Sequence, residues 1–285
     1  MLTHSPMLVR LAQEQDRPSL ANLIHFQTHV HRHLDWRPPL DWIGHRPYLL
    51  ADSGGNLRAA LVCPPDPPET AWIRLFAVSS QWSVEEAWDM LWPIAKQQLH
   101  EFDNPLVAAI PLQAWFRNLL DLHHFKPVYE IVALLWEPRN PLSPPFNQEV
   151  KIRSMRHEDL PAVTKVDSAA FGPLWRNSLE ALELAFWQSW IATVAEMDNI
   201  LVGYQISTAL PVGAHLARLA VQPDCQNCGI GYALLWNLIE QFHSRGITHV
   251  TVNTQADNLA SLALYEKVGF GRTGETYPVY QLVPG

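Results

Sequence analysis

The chain repeats itself, and that constrains its fold more than any other feature. Arg10-Leu-Ala-Gln-Glu-Gln-Asp-Arg-Pro-Ser-Leu resembles Arg153-Ser-Met-Arg-His-Glu-Asp-Leu-Pro-Ala-Val. Arg74-Leu-Phe-Ala-Val78 resembles Arg218-Leu-Ala-Val221 with one extra residue, and Leu119-Leu-Asp-Leu-His-His-Phe125 resembles Leu264-Tyr-Glu-Lys-Val-Gly-Phe270. The order of strand-like and helix-like segments recurs as well, so the chain reads as a duplicated mixed α/β domain. Its 285 residues are comfortable for two domains. A proline-rich break, Glu137-Pro-Arg-Asn-Pro-Leu-Ser-Pro-Pro145, is the best linker. The expected organisation is a first domain over 1–137, a linker over 138–148 and a second domain over 149–285.

Periodicity predicts the elements. In the first half these are a strand over 7–13, a helix opened by Asp16-Arg-Pro18 and running to about His31, and two strands joined by Ser53-Gly-Gly-Asn. A strand over Trp72–Val78, a helix over Val84–Phe102, a strand over Pro105–Ile110, a helix over Leu112–His124 and a strand over Val128–Trp136 follow. The second half predicts a strand at Val150, helices opened at His157 and over Ser178–Trp190, and a hairpin turning at Met197-Asp-Asn. A strand over His215–Val221, a helix over 229–245, a strand at Val250, a helix over Leu259–Val268 and a strand over Val279–Val283 complete it.

Composition excludes several functions. A formal charge of −8 opposes non-specific binding to nucleic acid or anionic lipid. No apolar run is long enough to span a bilayer, and the N-terminal residues lack the pattern of a signal peptide. The sparse cysteines, Cys63, Cys225 and Cys228, argue against a disulfide framework and for a reducing, cytoplasmic setting. Cys225-x-x-Cys228 has no second pair to complete a zinc site, so no metal is expected.

The chemistry concentrates in Leu219-Ala-Val-Gln-Pro-Asp-Cys-Gln226-Asn-Cys-Gly229-Ile-Gly231, an apolar strand followed by a glycine loop and an apolar helix. Glycines let the backbone approach a phosphate, and a helix N-terminus favours negative charge. A dinucleotide loop would need a third glycine where Leu234 stands and an acid after the next strand, which ends in Asn253-Thr-Gln. A second segment, Asn258-Leu-Ala-Ser-Leu-Ala-Leu-Tyr265-Glu-Lys-Val-Gly269-Phe270, places Tyr265 two helical turns beyond Asn258, with Gly269 ending the helix.

These two segments resemble the GNAT superfamily of N-acetyltransferases. The first is similar to its acetyl-coenzyme A loop, Q/R-x-x-G-x-G/A, and the second to its closing N-x-x-[AS]-x-x-L-Y-E-K-x-G-F segment, over roughly residues 150–283. The tandem layout is similar to that of mycothiol synthase and related double-domain acetyltransferases. The resemblance implies an α/β (α+β) fold of two tandem domains, each a mostly antiparallel mixed sheet flanked by helices. It implies transfer of an acetyl group from acetyl-coenzyme A to a primary amine by direct attack, with a small-molecule or peptide acceptor and a monomer or homodimer. It also implies roles. Backbone of Gln226, Asn227, Cys228, Gly229, Ile230 and Gly231 would hold the pyrophosphate. Leu219, Ala220, Val221 and Asn258 would meet the pantetheine arm, and Tyr265 would protonate the leaving thiolate.

The pattern departs from the family where Cys228 replaces an often basic residue and where Arg218 stands near an expected acid. Glu196, His215 and Glu275, or a water chain, remain as candidates for the base, and Arg218 for a contact to an acceptor carboxylate, a structural ion pair or an exposed charge. A non-catalytic acyl-coenzyme A sensor or scaffold is the alternative. In the first half, Gln81-Trp-Ser-Val-Glu-Glu-Ala87 has no glycine and two acids that would repel a phosphate, while Gln113 and Leu120 stand where Asn258 and Tyr265 do. That domain is expected to be non-catalytic. His29-Val-His-Arg-His33 is expected as a polar helix end or part of an acceptor groove with Trp36 and Trp42, rather than as a metal cluster.

Overall fold

In a computed structural model of the chain, which describes residues 6–138, 144–145, 149–210 and 212–283, two compact units form. Unit 1 comprises Met1–Val128 and Pro278–Gly285, and unit 2 comprises Tyr129–Tyr277. Both follow the expected mixed α/β plan. No described helix is long and apolar enough to cross a membrane.

Unit 1 holds β1 (Met7–Leu11), α1 (Arg17–Phe26), β2 (His29–Arg32), β3 (Tyr48–Ser53), β4 (Asn56–Val62), β5 (Thr70–Trp72), β6 (Leu75–Val78), α2 (Val84–His100), β7 (Leu106–Ala109) and α3 (Ala114–Leu122). Its antiparallel sheet runs β1-β3-β4-β6-β2. The predicted single strand over Trp72–Val78 is broken at Ile73 and Arg74. Its first part, β5, runs parallel to β7, and its second part, β6, joins β4 and β2. The core packs Trp88, Phe76, Phe116 and Phe125 between α2, α3 and the sheet.

β2 corrects the helix expected to reach His31. The alternation His29-Val-His-Arg-His33 is a strand period, and a strand places all three imidazoles on one side. Each lies against an aromatic ring: His29 on Trp115, His31 stacked on Phe116 at 4.1 Å and His33 stacked on Trp72 at 4.7 Å.

β8 (Phe125–Trp136) leads into unit 2, which adds β9 (Lys151–Ser154), α4 (Leu160–Ala170), α5 (Leu179–Gln188), β10 (Ile191–Met197), β11 (Ile200–Leu210), β12 (Gly213–Val221), α6 (Ile230–His243), β13 (Val250–Gln255), α7 (Leu259–Val268) and β14 (Phe270–Leu282). The order β9-β10-β11-β12 is antiparallel; β12 then runs parallel to β13, and β13 antiparallel to β8.

The boundaries at 137 and 149 do not hold. Ile131–Trp136, upstream of the proline-rich break, pair with β13 in unit 2. Tyr280 and Gln281, at the far end of the chain, pair with Ala109 and Ala108 of β7 in unit 1. Each unit thus includes a strand from beyond the break, which linear sequence cannot reveal. Most of the predicted linker 138–148 lies outside the described residues.

The duplication extends to a charged clamp. In unit 1 Arg10 donates to both carboxylate oxygens of Asp16 at 2.7 Å and to Asp52 at 2.8 Å, while Asp16 also accepts from the Gln13 N–H. In unit 2 Arg153 makes the same bidentate contact with Asp159 and reaches Glu196, and Asp159 accepts from the Arg156 N–H. These bonds hold the first strand to the start of the first helix, and they lower the Asp16 and Asp159 carboxyls from the ordinary value.

Two outcomes follow. A fragment 149–285 lacks Val132, Leu134 and Trp136 of the unit 2 core, so it should show no cooperative thermal transition, whereas a fragment 129–277 should show one. Burial lowers the fully enclosed His31 to about 4, and burial with the Arg74 charge holds His33 well below the usual range. The unfolded chain therefore binds more protons below about pH 6.5, and stability must fall as pH drops from there towards 4. His31 alone accounts for roughly 3 kcal/mol of that loss. Denaturant melts at pH 7 and pH 4.5 should show it, with a smaller difference in His31→Phe.

Candidate active site

β12 meets β13 through only three residues, Ala214, His215 and Leu216 opposite Val250, Thr251 and Val252. The β11 register slips at this point, pairing Ile206 with Arg218 and Ser207 with Leu216, which leaves Ala217 as a bulge. A bulge bends a strand and turns it from its neighbour. Beyond it, Leu219–Val221 stay bonded to β11 on one side and face a groove of about 660 Å³ on the other.

The groove runs to the start of α6. Gln222-Pro-Asp-Cys makes a short turn in which Gln226 N–H donates to Pro223 O at 3.2 Å, so this N–H is taken up internally rather than offered to a phosphate. The Gln226 side chain returns to Val221 O. Asn227 (φ 62°) and Gly229 (φ 82°) then take left-handed conformations, with Gly229 the N-cap of α6. The start of α6, whose first-turn N–H groups have no acceptor inside a helix, thus lies at the groove, with Gly229 and Gly231 among its lining residues. At Gly231 a Cβ would lie 2.9 Å from the end of Leu264, so glycine lets α6 pack close to α7.

α7 forms the opposite wall through Ala260, Ser261, Ala263, Leu264 and Lys267. Asn258 lines the groove and caps this helix, its side-chain oxygen accepting from Ser261 N–H at 3.1 Å. Lys267 is the one charged residue among those that line the groove, and its ammonium lies 4.9 Å from the Tyr232 ring centroid. Sequence reasoning passed over it, although it follows Leu264, Ala263 and Ala260 by three, four and seven residues, which is one helical face. Ala170 and Phe171, at the end of α4, complete the wall.

Tyr265, like Cys228 and Ile230, is not among the residues that line the groove; it sits on the adjacent, buried face of α7 with Leu262 and Val268, its ring 5.5 Å from that of Phe270. Burial raises its hydroxyl above the ordinary value, and the Arg218 charge opposes that rise. The group therefore holds its proton at neutral pH, as a proton donor must.

The four polar candidates lie elsewhere. Arg218 does not await an acceptor carboxylate. Its guanidinium pairs with the fully buried Asp167 at 2.7 Å, donates to Trp175 O at 2.6 Å and lies 3.6 Å from the Phe171 ring centroid. Asp167 also accepts from the Tyr204 hydroxyl and the Asn177 N–H. This is the structural ion pair. Glu196 is held in the Arg153 clamp. His215 bonds Thr251 at 2.8 Å and is lowered by burial. Glu275 is exposed and accepts from Tyr277. None of these four lines the groove. Cys225 is half-buried and Cys228 exposed, neither of them in a disulfide. Among the described residues no cluster of His, Cys, Asp or Glu could hold a metal ion.

The model of the acetyltransferase (GNAT) family matches residues 153–270. The ribosomal protein bS18-alanine N-acetyltransferase of Escherichia coli K12 is 29% identical over 119 residues, covering 42% of this chain and 79% of that one. An uncharacterized N-acetyltransferase of Methanocaldococcus jannaschii is 30% identical over 132 residues, covering 45% and 82%. Two solved structures match nearly end to end and share the fold. A GNAT-type N-acetyltransferase from Sphaerobacter thermophilus has TM-score 0.62 at 16% identity, covering 99% of this chain and 98% of that chain. A tandem GNAT protein from the clavulanic acid biosynthesis pathway has TM-score 0.63 at 15% identity, covering 98% and 100%.

Removing Arg218 strands a buried carboxylate, and breaking such a pair from one side costs about 3–5 kcal/mol. Arg218→Met should lower the denaturation midpoint accordingly, and Arg218→Met with Asp167→Leu should recover most of the loss. A single variant as stable as wild type would show that the pair carries no such weight.

Proposed function

Because the chain belongs to the GNAT acetyltransferase family and is an N-acetyltransferase, we propose that unit 2 transfers an acetyl group from acetyl-coenzyme A to a primary amine. The groove along Leu219–Val221 carries this proposal. It joins the two features that a long thioester cofactor with a phosphate end requires. One is a strand edge without a strand neighbour, to which an amide-bearing arm adds like a further strand. The other is a helix start opened by left-handed Asn227 and Gly229, where N–H groups converge on negative charge. Lys267 adds a cation to the same groove.

The acceptor amine, free of its proton, attacks the thioester carbonyl. A C–N bond forms, the C–S bond breaks, the amine's second proton leaves to solvent, and the Tyr265 hydroxyl supplies a proton to the departing sulfur and regains one from solvent. Holding the two substrates side by side supplies most of the acceleration. The acceptor is a small molecule or a peptide; a relative is named for the alanine of a ribosomal protein, which supports the peptide class.

The test is thioester turnover by the full chain across a panel of amines and peptide N-termini. Tyr265→Phe should lower kcat by about 100-fold while leaving coenzyme A affinity within twofold. An unchanged kcat would remove Tyr265 from the chemistry.

A further inference from the structure

Unit 1 provides an internal comparison for the groove. β5 touches β7 through three residues, Thr70, Ala71 and Trp72 opposite Leu106, Val107 and Ala108. In unit 2 the parallel contact is also three residues, Ala214–Leu216 on Val250–Val252. Two residues further on, each strand carries an arginine in a matched setting. Arg74 pairs with Asp35 and lies 4.1 Å from the Trp42 ring centroid; Arg218 pairs with Asp167 and lies 3.6 Å from that of Phe171. The register therefore equates Leu75, Phe76 and Ala77 with Leu219, Ala220 and Val221.

The two edges differ in what they meet. In unit 2 the edge faces a groove. In unit 1 it is paired with β2: His29 opposite Val78, Val30 opposite Ala77, His31 opposite Phe76 and Arg32 opposite Leu75. The ladder is extended by His33 N–H to Arg74 O at 3.0 Å. Side chains fasten β2 from both ends. His31 Nε2 lies 2.9 Å from Ile73 O, and Arg32 donates to Ile24 O. The three imidazoles lie on Trp115, Phe116 and Trp72. The phosphate end is closed too. α2 is capped by Ser83, whose hydroxyl accepts from Glu86 N–H, and Glu85 and Glu86 place negative charge in its first turn.

We propose that β2 is a built-in occupant of unit 1's cofactor slot, taking on β6 the place that the pantetheine arm takes on β12. It stands in for the arm because both add to a strand edge through backbone bonds and fill the gap where two parallel strands part. Unit 1 is thereby closed to coenzyme A, and the chain has one acyl-coenzyme A site. The inference rests on the reading of the unit 2 groove for where the arm lies.

Calorimetric titration of the full chain with coenzyme A, combined with hydrogen exchange read by mass spectrometry, tests it. The expected stoichiometry is one. The amides of His29 and His31, which face β6, and those of 75–78 should exchange at least about 100-fold more slowly than an unstructured segment, and equally slowly with and without saturating coenzyme A. Amides of 219–221 should slow when coenzyme A is added. A stoichiometry of two, rapid exchange of His29 and His31 in the free chain, or a change at 75–78 on adding coenzyme A would overturn the proposal. If 219–221 do not respond while His29 and His31 stay slow, the donor assignment for unit 2 fails and the closure of unit 1 stands.

Discussion

A β-strand that loses a neighbour presents a row of backbone donors and acceptors that some other group must satisfy. β12 loses its neighbour after Leu216, where the Ala217 bulge turns it away from β13. The other parts of the unit 2 site lie around that divergence. α6 starts at the far end of the freed edge, α7 walls the gap, and Phe171 closes it from α4. The groove is thus a consequence of strand geometry. Its side chains tune it, but the opening exists because two parallel strands stop pairing.

The buried arginines explain how such an opening stays open. A splayed pair of strands has no ladder to hold its shape. In each unit an arginine next to the break reaches an aspartate on a distant segment and lies over an aromatic ring. A buried charge pair is a poor source of net stability but a strict one for position, since leaving either partner alone is costly. Both units retain this device and the arginine clamp at the first strand. They differ at the gap itself, where β2 pairs with β6 in unit 1 and a groove lies along β12 in unit 2.

Much of this was legible in the sequence. Gly229 and Gly231 after an apolar strand, and Asn258 to Phe270 as one segment, located the groove because their spacing is local. Three kinds of feature were missed. Partners distant in sequence were hidden: nothing near Arg218 indicates that Asp167 lies beneath it. Sheet membership was hidden, because Ile131–Trp136 read equally well as the last strand of the first domain. The third was within reach. His29-Val-His-Arg-His33 alternates with a strand's period, but continuity with α1 suggested a helix, and polar residues on a buried edge strand look like surface. Their burial depends on Trp72, Trp115 and Phe116, which arrive from elsewhere in the chain.

The exchange of closing strands has a consequence for synthesis. β7 obtains the partners of Ala108 and Ala109 from Tyr280 and Gln281, which leave the ribosome only after nearly all of unit 2. Domains usually fold in the order in which they emerge. Here the first unit must wait for its own last segment, made after unit 2, with the edge of β7 unpaired meanwhile and prone to mispairing. The contacts that complete unit 1 are thus among the most distant in sequence, and such contacts slow folding. The two halves of this chain, alike as they are, cannot mature one after the other.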